Sequence, residues 1–270
     1  MDSPLWFLLP GVGYLVAGAA LTFWRGHNKP GRWVAVLVYG SLAAHLILIA
    51  LRDYFEPTAF LANLREFALL LSSLLVVAYL VSSRRLQGVG ALGLILAVAG
   101  LALVVVAPSL PTQPEPVPPL LQSTWLILHV PLCLLSYLMY AMAGCGAVMY
   151  LVVSGLLKAR RPVALSGNLP TLESLDRVSH RMAKVGFPLL TAGLGAGMLW
   201  SHEVWGQIIP EAPKQVAAFA SWGVYAAYFH ARNARGTRGR VCAWMLVAGF
   251  ALVLTGLLLP LVSGGPHKFI

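Results

Sequence analysis

The stretch that decides the fold is residues 125–156, WLILHVPLCLLSYLMYAMAGCGAVMYLVVSGL, in which no Asp, Glu, Lys or Arg occurs. About 20 apolar residues in a helix cross the roughly 30 Å of bilayer hydrocarbon. This run is longer than one perpendicular crossing requires, so we expect a helix that tilts or protrudes at its inner end. In lipid every backbone amide must be paired within the segment, which leaves a helix as the expected structure.

The rest of the chain has the same apolar character. Of its 270 residues 59% are hydrophobic and 10% are charged, and the mean hydropathy is +0.78. Soluble domains carry about 25% charged residues, so these charges are too few to coat a soluble surface. We predict an all-α polytopic membrane protein, a single integral membrane domain over residues 1–270 with about eight transmembrane helices. The expected spans lie near 5–24, 33–51, 66–82, 88–107, 125–156, 183–204, 214–231 and 240–262.

The positions of Lys and Arg predict the orientation of these spans. Most of the basic residues fall in alternate loops, at 25–32, 84–85, 158–161, 177–184 and 232–240. The positive-inside rule places those loops in the cytoplasm and both termini on the periplasmic side of a bacterial inner membrane. Because the charges form short clusters between apolar runs, the net charge of +10 does not indicate nucleic-acid binding.

The cysteines and two loops add smaller expectations. Cys133, Cys145 and Cys242 lie in apolar runs without CxxC spacing and should be buried apolar side chains. The first apolar run has no basic region before it, so no cleavable signal peptide is expected. The Pro-rich stretch 108–124 is expected to cap the outer surface. Within 157–182 we expect a short amphipathic helix on the inner surface, with Thr171 as its N-cap, and a simple connector is the alternative.

The histidines are the side chains with cofactor chemistry. Neutral imidazole is a common axial ligand of haem iron, and an ionisable residue within a span indicates function by default. His45 and His129 are expected in the outer halves of their spans, His202 and His267 at the outer surface, and His230 at the inner end of its span. His27 and His180 lie in basic inner loops and should be solvated or face lipid headgroups. For each histidine at a span end, an interfacial position without a ligand role is the alternative.

Aromatic residues accompany the outer histidines in the segment Trp200-Ser-His-Glu-Val-Trp205-Gly206. Trp200 and Trp205 are typical of the aromatic belt at a membrane interface. Together with His202, His129 and His267 they could instead line the faces of a flat macrocycle.

At these residues the chain resembles the cytochrome c assembly family of membrane proteins, the CcsA/CcmC and HemX-like group. Residues 121–130, LQSTWLILHV, resemble the entry into the helix that bears the family's first external histidine. Residues 169–190 are similar to its inner loop and next helix. Residues 221–232, SWGVYAAYFHAR, resemble its segment with a membrane-embedded histidine, and 264–269, GGPHKF, the stretch with its second external histidine.

The resemblance implies a function and a ligand set. His129 and His267 would be external axial ligands of a non-covalent b-type haem. His230 would be a ligand of a membrane-buried haem, and His45 occupies a helix that HemX-like members also mark with histidine. The protein would receive haem and present it outside for attachment to apocytochrome c, with a membrane partner that has a large periplasmic domain.

The chain departs from the family pattern in one segment. The Trp-rich external motif WGxxWxWDPKE survives only as Trp205-Gly206 and Pro213-Lys214, which moves the chain toward the HemX-like branch. A depth argument adds a second difference. His45 is expected in the outer half and His230 at the inner end, so either that helix is shifted outward or His45 pairs with His129 or His202.

Three functions therefore remain open from the sequence. The first is haem handling or presentation for cytochrome c maturation. The second is a HemX-like regulatory or scaffold protein linked to haem biosynthesis without a fixed haem. The third is a membrane haem electron carrier that acts on quinone. No independent catalytic constellation is visible, so enzymatic activity would be that of a haem-attachment system.

Overall fold

The structure is a computed structural model, and it describes residues 4–23, 32–55, 64–83, 90–101, 123–161, 169–208 and 213–262. Within these ranges it contains a short 3₁₀ turn and eight α-helices and no strand, which confirms the all-α prediction. The turn is Pro4–Phe7, and the helices are α1 (Leu8–Phe23), α2 (Arg32–Phe55), α3 (Leu64–Ser83), α4 (Gly90–Leu101), α5 (Thr124–Lys158), α6 (Leu172–Trp205), α7 (Pro213–Ala234) and α8 (Arg240–Val262).

The helices correspond one to one with the eight expected spans. Among the described residues, four segments are long and apolar enough to cross a membrane, namely Arg32–Leu51 of α2, all of α5, all of α6 and Arg240–Leu257 of α8. Shorter apolar stretches occur in α1 and α3. The chain is thus a multi-pass helical membrane protein. The position of both termini on the periplasmic side stays a prediction, and the Pro-rich stretch lies almost entirely outside the described residues.

The chain divides into two compact units, Met1–Glu115 with Leu156–Ser174, and Pro116–Gly155 with Leu175–Ile270. The expectation of a single integral membrane domain stays a prediction. In the first unit α1 packs against both α2 and α4, and α3 packs against α4.

Close approach of two main chains joins α1 to α4. A Cβ placed on Gly18 would lie 2.6 Å from the carbonyl oxygen of Gly93 and 2.7 Å from the amide nitrogen of Ala97. A Cβ on Gly100 would lie 2.6 Å from the carbonyl oxygen of Gly11. Small residues at such crossings let membrane helices pack through their backbones, where van der Waals contact replaces the hydrophobic effect.

The core of the second unit is built on tyrosine rings. Tyr140 of α5 and Tyr225 of α7 are fully buried and stack, with ring centroids 3.6 Å apart and planes within 8°. Gly249 of α8 lies against the Tyr225 ring, where a Cβ would meet Cε2 at 2.7 Å. These contacts bind α5, α7 and α8 together. The three cysteines are buried, as predicted.

The expectation of a separate short helix on the inner surface is wrong, because residues 172–182 form the first part of α6. The helix starts where predicted, and the Thr171 hydroxyl oxygen accepts a hydrogen bond from the Ser174 amide at 3.2 Å. It then continues for 34 residues, about 51 Å at 1.5 Å per residue. Packing explains the continuity. Asp176 accepts two hydrogen bonds from the Arg232 guanidinium at 2.7 and 2.8 Å, so this turn is held against α7.

The same contact sets the electrostatics of this end of the unit. Asp176 precedes the expected span 183–204, and the Arg232 guanidinium holds the pKa of its carboxyl below the usual value despite partial desolvation. His180 is half-buried, and its Nδ1 lies 3.1 Å from the hydroxyl oxygen of Tyr228. The expected loop position of His180 is therefore wrong, because the residue lies in α6, and its exposure to headgroups stays a prediction.

Candidate functional site

His129 is held by a main-chain atom of a neighbouring helix. It lies near the start of α5 and is half-buried, and its Nδ1 is 2.7 Å from the carbonyl oxygen of Gly193 in α6. A carbonyl oxygen only accepts, so Nδ1 carries a proton and donates it. In the neutral ring Nε2 then keeps its lone pair. This is the arrangement in which metal-ligating histidines are held.

Glycines make the space for this imidazole. A Cβ on Gly197 would lie 2.6 Å from Nδ1 and 2.8 Å from Cε1 of His129. A Cβ on Gly193, one helical turn earlier, would lie 2.8 Å from Sγ of Cys133. Cys133 follows His129 by one turn of α5, with Sγ 3.7 Å from Nδ1. We call His129, Cys133, Gly193 and Gly197 the imidazole slot.

The segment 200–206 closes α6 at the same end of the second unit. Gly206, at φ 67°, donates its amide to the His202 carbonyl at 3.0 Å. Ser123, just before α5, donates its hydroxyl to Glu203 Oε2 at 2.5 Å. The start of α5 and the end of α6 are thereby tied together, so His129 and His202 belong to one end of this unit.

The aromatic residues of that segment pack on one another. Trp200 is buried and Trp205 is exposed, and their rings meet edge to face with centroids 5.0 Å apart. His202 is exposed beside them. Whether these rings line a macrocycle stays a prediction.

His45 is a second imidazole with an unused nitrogen. It is 0% exposed within the first unit, between Phe7, whose ring stands edge-on at 5.9 Å, and Tyr14, whose hydroxyl lies 3.5 Å from Nδ1. Its Nε2 has no hydrogen-bond partner among the described residues. A buried polar atom left without a partner costs about 1–3 kcal/mol, so a ligand at Nε2 would remove a penalty.

The two remaining predicted ligands are not brought to the slot. His230 is exposed near the end of α7, two residues before Arg232. Arg232 pairs with Asp176 near the start of α6, whereas Gly197 lies near the end of that helix. The pairing of His230 with His45, which lies in the other unit, stays a prediction. His267 lies outside the described residues. Within the described ranges no three His, Cys, Asp or Glu side chains converge as a metal site.

The sequence argument named His129 as a candidate ligand but did not name the glycines that contact it. Their signal was the run Gly193-Leu-Gly195-Ala-Gly197, in which two glycines four residues apart share one face of α6. Only the structure assigns that face to His129.

Comparison with known proteins gives a consistent result. The family described as cytochrome C assembly protein matches residues 61–267. Relatives named cytochrome c biogenesis protein CcsA include one from Thermosynechococcus vestitus, 30% identical over 93% of this chain and 90% of the relative. Another, from Guillardia theta, is 32% identical over 86% of this chain and 85% of the relative.

A solved structure also shares the fold. The protein titled cytochrome c heme lyase CcmF matches with a TM-score of 0.65 at 21% identity, over 95% of this chain. The match spans 45% of that longer protein.

Proposed function

Because this chain belongs to the cytochrome c assembly protein family, we propose that it binds haem and presents it at the outer face of a bacterial inner membrane for attachment to apocytochrome c. The haem would be b-type and non-covalently held. A membrane partner with a large periplasmic domain would complete the system.

The observation that carries this proposal is the state of His129. The carbonyl oxygen of Gly193 accepts a hydrogen bond from Nδ1 at 2.7 Å, so in the neutral ring the lone pair that could bind iron is on Nε2. His267, which lies outside the described residues, would be the second residue that holds this haem, as the resemblance implies.

His45 is the candidate ligand of a second haem, because its buried Nε2 has no hydrogen-bond partner among the described residues. His230, which the resemblance implies as a ligand of a membrane-buried haem, is a further candidate. Bound haem would supply the porphyrin to which apocytochrome thiols attach. The chain's own residues would bind and orient it: imidazoles to the iron, and Trp200 and Trp205 against a face of the ring. Lys214, half-buried at the start of α7, would suit a propionate.

The test is the haem content of the purified full-length protein after haem supplementation, measured as the reduced pyridine haemochrome. We expect the wild type to retain haem and His129→Ala and His267→Ala each to lose the outer haem spectrum. His27→Ala, in a predicted inner loop, is the matched control and should keep it. A haem-free wild type would refute the proposal.

Two outcomes would point to the alternatives. Haem spectra that survive both outer histidine substitutions would favour a regulatory or scaffold protein linked to haem biosynthesis. A reversible redox titration of two haems, coupled to quinol oxidation, would favour an electron carrier.

A further inference from the structure

We propose that Gly197 and the main-chain carbonyl of Gly193 are positioning groups that select the iron-binding tautomer of His129 and fix the direction of its Nε2. This inference rests on the proposed function and deepens it. It assigns a role to residues that carry no side-chain chemistry.

The first step of the argument is the choice of tautomer. A neutral imidazole has one proton for two nitrogens, and the hydrogen bond made by one nitrogen decides the state of the other. At 2.7 Å the Gly193 oxygen accepts from Nδ1. A carbonyl oxygen has two lone pairs, so it can serve the helix and the side chain together. The acceptor is main chain, so it cannot rotate away.

The second step is steric. Any side chain at 197 would begin with a Cβ 2.6 Å from Nδ1 and 2.8 Å from Cε1, whereas ordinary contact starts at 3.4 Å. The ring would have to retreat by 3.4 − 2.6 = 0.8 Å. Binding constellations work when held to within about 0.5 Å, so this displacement would both lengthen the hydrogen bond and misdirect Nε2.

The third step is that the ring has little room for such a retreat. Sγ of Cys133 lies 3.7 Å from Nδ1 and 3.9 Å from Nε2. Cys133 is itself buried against α6, where a Cβ at Gly193 would meet its Sγ at 2.8 Å. The imidazole therefore lies between the Cys133 thiol of α5 and Gly197 of α6.

The chain offers a matched control in the same run of glycines. A Cβ on Gly195 would meet nothing within 4 Å, although it lies in α6 between the other two. Gly195→Ala and Gly197→Ala make the same chemical change in the same helix. They differ in whether the new methyl group contacts His129.

The first measurement needs no haem. In full-length protein labelled with ¹⁵N-histidine, the two ring nitrogen shifts of His129 report which one is protonated. The resonance is assigned by its loss in His129→Gln. We expect protonated Nδ1 in wild type and in Gly195→Ala, and a shift toward protonated Nε2 in Gly197→Ala. An unchanged His129 signal in Gly197→Ala would overturn the inference, whether or not the protein binds haem.

The second measurement is hemin titration of the same variants, read by absorbance and by the low-spin signature of the ferric iron. Removing an outer partner of a metal-ligating histidine typically lowers metal affinity 10- to 100-fold. We expect at least a 10-fold loss for Gly197→Ala and wild-type affinity for Gly195→Ala. Equal losses in both variants, or in neither, would refute the positioning role. Failure of the wild type to bind hemin would instead refute the proposed function, which the tautomer measurement does not depend on.

Discussion

Replacement of Gly18 by alanine tests whether the backbone contact between α1 and α4 holds the first unit together. The new Cβ would lie 2.6 Å from the Gly93 carbonyl oxygen, and 3.4 − 2.6 = 0.8 Å of separation would be needed to reach ordinary contact. The atoms that it meets are main chain, so no side chain can swing aside. Overpacking of this kind costs about 1–3 kcal/mol. Alanine recovers about 1 kcal/mol in helix propensity.

Gly40→Ala in α2 is the control, because a Cβ there meets nothing within 4 Å. It should gain the propensity term alone, so the two variants should differ by about 1–3 kcal/mol, the overpacking cost. Equilibrium unfolding in mixed detergent micelles measures the difference. If Gly18→Ala is as stable as Gly40→Ala, the close contact of the two main chains is not a source of stability and the reasoning fails.

Two further predictions concern the second unit. Asp176→Asn should lower the free energy of unfolding by about 0.2–1 kcal/mol at neutral pH, because it breaks the ion pair with Arg232 at a partly exposed site. Since the folded-state pKa of Asp176 is depressed, this contribution is present above the unfolded pKa of about 3.9 and is lost as pH falls through the lower folded pKa. The difference in unfolding free energy between the two proteins should therefore be largest at pH 7 and should shrink as the pH falls below about 3.9. A difference that does not shrink with falling pH would contradict the ion-pair explanation. Tyr225→Phe should leave the free energy of unfolding unchanged or raise it, because the buried Tyr225 hydroxyl has no partner among the described residues. Tyr228→Phe should lower it by about 1 kcal/mol, because it removes the contact with His180. Equal effects of the two substitutions in thermal unfolding would refute the distinction.

The helices were predictable because their cause is local. The run 125–156 contains no Asp, Glu, Lys or Arg, and α5 covers 124–158. The boundary of α6 was harder. Residues 173–184 carry enough charge to look like a surface helix, and their partner Arg232 lies 56 residues from Asp176. No sequence period reports that contact.

The candidate site divides in the same way. His129 and His45 were predictable because a polar ring within an apolar run needs an explanation. The position of His180 was not, because its burial comes from Tyr228 on another helix. Gly193 was missed for a different reason. It acts through its carbonyl oxygen, which every residue has, so its identity gives no chemical signal.

That main-chain acceptor has a consequence for how such a protein can diverge or be redesigned. A main-chain carbonyl is present whichever residue stands at 193, so a substitution there removes no acceptor and can disturb His129 only through the volume that it adds. What remains open to mutation is volume, at 197 beside the ring and at 193 beside the Cys133 sulfur. A design that transplanted only the histidine would lose the site. A design that copied the backbones of α5 and α6 and kept glycine at 193 and 197 would retain the site.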